Sequence, residues 1–172
     1  QIRTLLQHAH SELTHDTLYK PKTTAQPEVK RTVAKSMALI EATDEFFEKA
    51  IKDLDEAARP GRELLAFLAK LYENGTKVAP GQELSNQIVI DTCFSLAPQA
   101  PYKEIGDFLQ AKGFIFDKIK ERLTTRHFFT QPVVLLAYYL AQAKPAQVKD
   151  IWPLDRDDLA LVFSDLGKKF ED

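Results

Sequence analysis

The chain is poor in sulfur and in glycine. Cys93 is its one cysteine, which excludes an internal disulfide and a cysteine-based zinc cage and fits a reducing cytosol. Six glycines in 172 residues are too few for long disordered tracts. No apolar run approaches the roughly 20 residues of a membrane span. The longest, "VVLLAYYLA" from Val133 to Ala141, is short and runs into polar residues. No signal-peptide pattern is visible. An excess of charge of one sign is lacking too. A net charge of −2 gives no overall field to hold a polyanion, so a nucleic-acid partner would need a local basic patch. Only modest ones are present, such as Lys30, Arg31 and Lys35.

What is present is enough for a folded protein. Apolar residues make up 44% of the chain, close to ordinary globular usage. A chain of this length makes one sizeable domain or two small ones and typically buries roughly 70% of its unfolded surface. These features predict a cytoplasmic protein without a membrane partner.

Apolar periodicity predicts helix almost throughout, with proline and glycine at the joints. Ile2, Leu5, Leu6, Ala9 and Leu13 recur at three- and four-residue steps, and Pro21 stops that element. Pro27 suits the first turn of a second helix carrying Val29, Val33, Met37, Ile40, Phe47, Ile51 and Leu54 on one stripe. This helix is expected to end at "ARPGR", after about 45 Å at ~1.5 Å per residue. "GRELLAFLAKLYENG" reads as a shorter helix closed by Gly75, and "TKVAPGQE" as a loop. "ELSNQIVIDTCFSLA" favours helix, although Ile88, Val89 and Ile90 would also suit a strand. Further helices are expected at "PYKEIGDFLQAK", "FIFDKIKERL" and "QPVVLLAYYLAQA". In "DRDDLALVFSDLGKKF", Asp155 is placed as a cap, with Lys168 and Lys169 in the last turn. With no alternating strands or hairpin turns, the chain reads as all-α. A boundary near Pro60 is expected to separate a helical hairpin (residues 1–59) from a helical bundle or solenoid-like domain (residues 60–172).

The opening stretch, "QIRTLLQHAHSELTHDTLYK", is crowded with polar residues. On a helix His8, Glu12 and either His15 or Asp16 share one face, which could take a divalent metal or a phosphate-bearing ligand. A zinc site would want three good ligands, and the H-E-x-x-H pattern is absent. A solvated polar face accounts for the same spacing. Cys93 has no basic neighbour in sequence to make it a nucleophile and reads as core. His127, among the aromatics of "TTRHFFT", reads as a core or loop histidine.

The string itself is similar to the end of the synthetase domain of the RelA/SpoT-like alarmone synthetases. That family's pattern runs from a Glu and an aliphatic residue through Q-I-R-T into a helix that reaches a His and a Tyr-Lys pair. Gln1, Ile2, Arg3 and Thr4 match the first block, and Glu12, His15, Tyr19 and Lys20 the helix. The likeness is strong over about the first twenty residues, weaker through "ATDEFF", and does not pass Pro60. It implies a GTP pyrophosphokinase, which transfers pyrophosphate from ATP to the 3'-hydroxyl of GDP or GTP to make the (p)ppGpp of the stringent response. Such a transfer needs Mg2+ for the phosphate charge and cationic groups around it. In the family the magnesium-associated carboxylate stands two residues before the Gln of Q-I-R-T, ahead of Gln1. On the resemblance, then, the chain looks like an inactive C-terminal fragment. That Met37 is the only methionine agrees with this expectation.

The resemblance assigns nucleotide-binding or supporting roles to Gln1, Arg3, Ser11, Glu12 and His15. Gln1 and Arg3 would end the strand that carries the missing Glu. Ser11, where alanine is common, and Glu12 would face the guanine nucleotide, and His15 would reach phosphate or a supporting carboxylate. Structural accounts stand beside these: an edge salt bridge for Arg3, a surface ion pair worth at most about 1 kcal/mol for Glu12, and a packed, bonded histidine for His15. For Tyr19 and Lys20 the account is packing plus a helix-terminal charge. Residues 60–172 are expected to bind a regulatory protein or another copy. Two alternatives are that the chain is simply a helical interaction module, or belongs to a toxin-like relative that pyrophosphorylates RNA.

Overall fold

The computed structural model describes residues 4–15 and 27–170. Among them all regular structure is helical: α1 (Leu5–Thr14), α2 (Pro27–Thr76), α3 (Leu84–Cys93), α4 (Lys103–Ala111), α5 (Phe114–Arg122), α6 (Val134–Ala143), α7 (Pro145–Ile151) and α8 (Arg156–Asp165), with 3-10 turns at Phe94–Leu96 and His127–Thr130. The protein is all-α. No described helix is long and apolar enough to cross a membrane. The chain divides into two compact units, Gln1–Ala58 and Arg59–Asp172.

In the first unit Thr4 starts α1 through a capping box. Its hydroxyl accepts from the Gln7 N–H at 3.2 Å, and the Gln7 side chain accepts from the Thr4 N–H at 3.4 Å. Hydrogen bonds tie α1 to α2. Thr4 Oγ1 donates to Asp44 at 2.7 Å, and His10 Nε2 meets Ser36 Oγ at 2.8 Å. Later residues of α1 meet earlier ones of α2, so the two run antiparallel. The apolar stripe of α2 is covered in part: Val33, Met37 and Ile40 are half-buried. Leu5, Leu13, Leu39, Phe46, Phe47, Ile51 and Leu54 are all exposed, and no described residue of this unit is buried. Pro21, expected to stop α1, lies outside the described residues.

The expected break at "ARPGR" is absent. A single α-helix runs 50 residues through Pro60, despite a proline's cost of about 3 kcal/mol in a helix interior. The sequence after it supplies the reason. Leu64, Leu68, Tyr72 and Thr76 recur every four residues, and all are buried. Continuing the helix puts this row into the core. The Pro60 carbonyl accepts from the Tyr102 hydroxyl at 3.1 Å. Gly75, expected to close the helix, lies within it. A Cβ there would come 2.2 Å from the Phe116 ring, so the glycine serves close packing, and Lys77 takes the left-handed conformation instead (φ 64°).

The second unit is organised around α6. From Val134 to Ala141 every residue is buried, as expected of a helix apolar on all sides. Helices α4, α7 and α8 pack on it. The segment with strand character forms α3. The short α7, with Pro145 in its first turn, carries too little periodicity to be anticipated. Asp155 caps α8 as expected, its carboxylate accepting from the Asp157 N–H at 2.9 Å. Lys168 and Lys169 do not end that helix. Lys168 Nζ instead donates to the Ala141 and Gln142 carbonyls, at 3.1 Å each, and so caps α6.

Candidate functional site

Of the residues assigned to a site by sequence, Gln1 and Arg3 lie outside the described residues, as do Asp16, Tyr19 and Lys20. Ser11, Glu12 and His15 are described, all at the C-terminal end of α1. Ser11 is half-buried, and its carbonyl accepts from the Thr14 hydroxyl at 3.1 Å. Glu12 and His15 are exposed, and His8 is exposed one turn earlier. His15 ends the helix, its N–H bonding to the Glu12 and Ser11 carbonyls. His10 has a structural partner. Ser36 Oγ gives its one proton to the Val33 carbonyl at 2.8 Å, so it accepts from His10 Nε2–H.

This face can present a carboxylate and imidazoles to a ligand. Among the described residues no three His, Cys, Asp or Glu side chains are grouped to hold an ion. Magnesium is held by one or two carboxylates together with phosphate oxygens, and Glu12 is the one carboxylate among the described residues assigned to this face.

A second candidate lies within the other unit. The loop Pro80–Gly81, α3 and Pro132 line a cleft of about 410 Å³ with Arg62 and Leu65. Asn86 lines it and is bonded to the amide of Gln131. Asn86 Nδ2 donates to Gln131 Oε1 at 2.8 Å and to the Gly81 carbonyl at 3.1 Å. Gln131 Oε1 also accepts from the Glu83 N–H at 3.3 Å, and Gln131 Nε2 donates to Thr130 Oγ1 at 2.9 Å. Both amides are buried. A carbonyl only accepts, so the Gly81 contact fixes the orientation of the Asn86 amide. Asn86 Oδ1 is then a buried acceptor with no donor among the described residues. His127 stands exposed nearby in its 3-10 turn, 3.9 Å from Glu83. Cys93 is fully buried, and burial pushes its thiol up to about 11, which suits core packing rather than nucleophilic chemistry.

Gly81 is a steric requirement of this amide pair. A Cβ at that position would lie 2.2 Å from Gln131 Nε2. Gly81→Ala is therefore expected to push the Gln131 amide off Asn86 and lower unfolding stability by about 1–3 kcal/mol, read by urea denaturation. A wild-type midpoint would show that the amide pair has room to move.

Sequence reading passed over Asn86 and Gln131. They are 45 residues apart, and isolated amides in "LSNQ" and "FTQP" carry no periodic signal. No protein-family model matches the chain, and no curated protein and no solved structure matches it.

Proposed function

We propose that residues 1–59 are the C-terminal helical hairpin of a RelA/SpoT-like synthetase domain, and that residues 60–172 form a helical bundle that regulates it or binds a partner. The protein would then belong to a GTP pyrophosphokinase that makes (p)ppGpp from ATP and GDP or GTP in the cytoplasm. The observation that carries this reading is the set of uncovered apolar side chains on α1 and on α2 before Ala58, which follow the Q-I-R-T block in sequence. Seven large apolar side chains from Leu5 to Leu54 are each more than half exposed there. Helices that pack on a sheet present such a face when seen without it. The capping box at Thr4 agrees, because it starts a helix where the Q-I-R-T pattern calls for one. Glu12 and His15, exposed on that helix, are the groups offered to a nucleotide.

The test is nucleotide chromatography with ATP, Mg2+ and GDP or GTP. The 172-residue chain alone is expected to yield no (p)ppGpp. A chain in which it follows a RelA/SpoT-like sheet is expected to yield it, and Glu12→Ala or His15→Ala to lower kcat/KM by at least ~tenfold with unchanged circular dichroism. Product from the 172-residue chain would overturn the fragment reading. Unchanged turnover in both variants would return Glu12 and His15 to the helix surface.

A further inference from the structure

In the first unit α2 is open to water on a side that α1 does not use. The half-buried side chains of α1 are Gln7, His10, Ser11 and Thr14, and its bonds reach Ser36 and Asp44, so α1 lies over the α2 stripe of Val33, Ile40 and Asp44. Leu5 and Leu13 face away from α2. Leu39 and Phe46 sit about 100° round α2 from Ile40 and Phe47, and they are 69% and 71% exposed. They belong to a row of their own. Leu39, Thr43, Phe46, Ala50, Asp53 and Ala57 recur at alternating steps of four and three, the spacing of a coiled-coil seam. Lys35, Ala42, Lys49 and Glu56 flank this seam on one edge, and Val33, Ile40, Phe47 and Leu54 on the other. Of the second edge, Phe47 and Leu54 are exposed.

Such a seam closes against another helix, and its own sequence read in reverse supplies one. Run antiparallel, with the two-fold axis between Asp44 and Glu45, α2 sets Leu39 against Ala50 of the second copy and Phe46 against Thr43 of the second copy. Each large side chain meets a small one. On the edges, Lys35 comes beside Asp53 and Glu56 of the second copy, while Phe47 and Leu54 come against Ile40 and Val33. Basic meets acidic there, and apolar meets apolar. A parallel pair sets Phe46 on Phe46 and Asp53 on Asp53, so bulk meets bulk and charge meets like charge. Leu39, Phe46, Phe47 and Leu54, with the stems of Lys35 and Glu56, bury on the order of 600 Å² per copy, near the ~1,200 Å² total at which specific interfaces begin. We infer that a second copy of this chain covers the seam, with α2 antiparallel to α2 in a closed two-fold pair. The inference does not need the synthetase reading: a sheet laid against Leu5 and Leu13 leaves Leu39 and Phe46 in water, and no residue of the seam is assigned to a nucleotide.

Sedimentation equilibrium of the 172-residue chain, without nucleotide and at about 0.1 M salt, tests it. A reversible monomer–dimer equilibrium is expected, with a dissociation constant below about 50 μM. Phe46→Glu, a change at an exposed site, is expected to weaken dimerisation by at least ~hundredfold, and Lys35→Glu by about tenfold. Lys35→Glu combined with Glu56→Lys exchanges the two signs and is expected to recover at least about threefold of that loss, which a parallel pair cannot do. Glu48→Lys, exposed on the opposite side of α2, leaves the equilibrium unchanged. If Phe46→Glu loses helical circular dichroism, the Lys35 and Glu56 variants decide. A monomer at every concentration up to about 200 μM, open-ended assembly, or a dimer indifferent to Phe46→Glu and Lys35→Glu overturns the inference. Failure of the charge exchange to recover affinity overturns the antiparallel arrangement.

Discussion

Asp165→Ala is expected to destabilise the protein by about 3–5 kcal/mol, a large effect for a single polar substitution. The Asp165 side chain is 6% exposed and the Arg122 side chain 19%. Arg122 grips the carboxylate with both terminal nitrogens, one of them 2.7 Å from Oδ1. The Tyr138 hydroxyl donates to Oδ2. Three helices, α5, α6 and α8, are thereby joined through one carboxylate. Alanine leaves a largely buried guanidinium and a fully buried phenol without their acceptor, and the penalty comes from those orphaned groups rather than from the lost attraction. Asp165→Asn keeps the shape but aims an N–H toward donors, so it recovers little. Guanidinium denaturation measures both. A loss below about 1 kcal/mol for Asp165→Ala would place this group among exposed surface pairs.

The same trio marks what could be read in advance and what could not. Helix content was legible, because apolar spacing reports which residues share a face. The run "VVLLAYYLA", too short for a membrane, became the buried α6. Contacts between distant residues left no trace. Arg122 and Asp165 are 43 residues apart, and nothing local distinguishes them from the exposed charges beside them. Proline was over-read at Pro60, where a local penalty lost to the buried row of Leu64, Leu68 and Tyr72. Glycine was over-read at Gly75, where the Phe116 ring explains the missing side chain. Lysines close in sequence to the end of α8 suggest its dipole, yet Lys168 serves the end of α6. In the first unit the stripe was visible in sequence, but the exposure of Phe47, Ile51 and Leu54 on it was not: periodicity shows which residues want cover, not whether a surface is there to cover them. For the candidate site, the order Q-I-R-T then helix was legible and Thr4 starts α1, while the amide pair exists only once the chain is folded.

Phe129→Ala is expected to cost about 3–5 kcal/mol, the usual range for emptying a buried phenylalanine site. Phe129 is fully buried in the turn between α5 and α6, edge-on to Phe128 and beneath the Arg122 guanidinium at 5.0 Å. Its backbone is pinned as well: the Tyr72 hydroxyl of α2 donates to its carbonyl at 2.8 Å. Tyr72→Phe separates the two contributions. It keeps the ring and deletes only that bond, so a loss of about 1–2 kcal/mol is expected. The pair of variants also predicts a difference in alkali. Burial pushes Tyr72 from 10.0 up to about 12, so its phenol stays protonated in the folded state after the unfolded chain has begun to ionise. The unfolded state then binds fewer protons, and stability falls as pH rises from about 10 toward 12. Tyr139, also raised to about 12 by burial and by its bond to Glu104, contributes to the same decline. In Tyr72→Phe the Tyr72 part of that decline is gone, so the variant begins less stable at neutral pH and loses less between pH 10 and pH 12. Phe129→Ala starts lower still and keeps the steep alkaline fall if Tyr72 remains buried. Equal alkaline slopes in wild type and Tyr72→Phe would show that the phenol is not held protonated by the core.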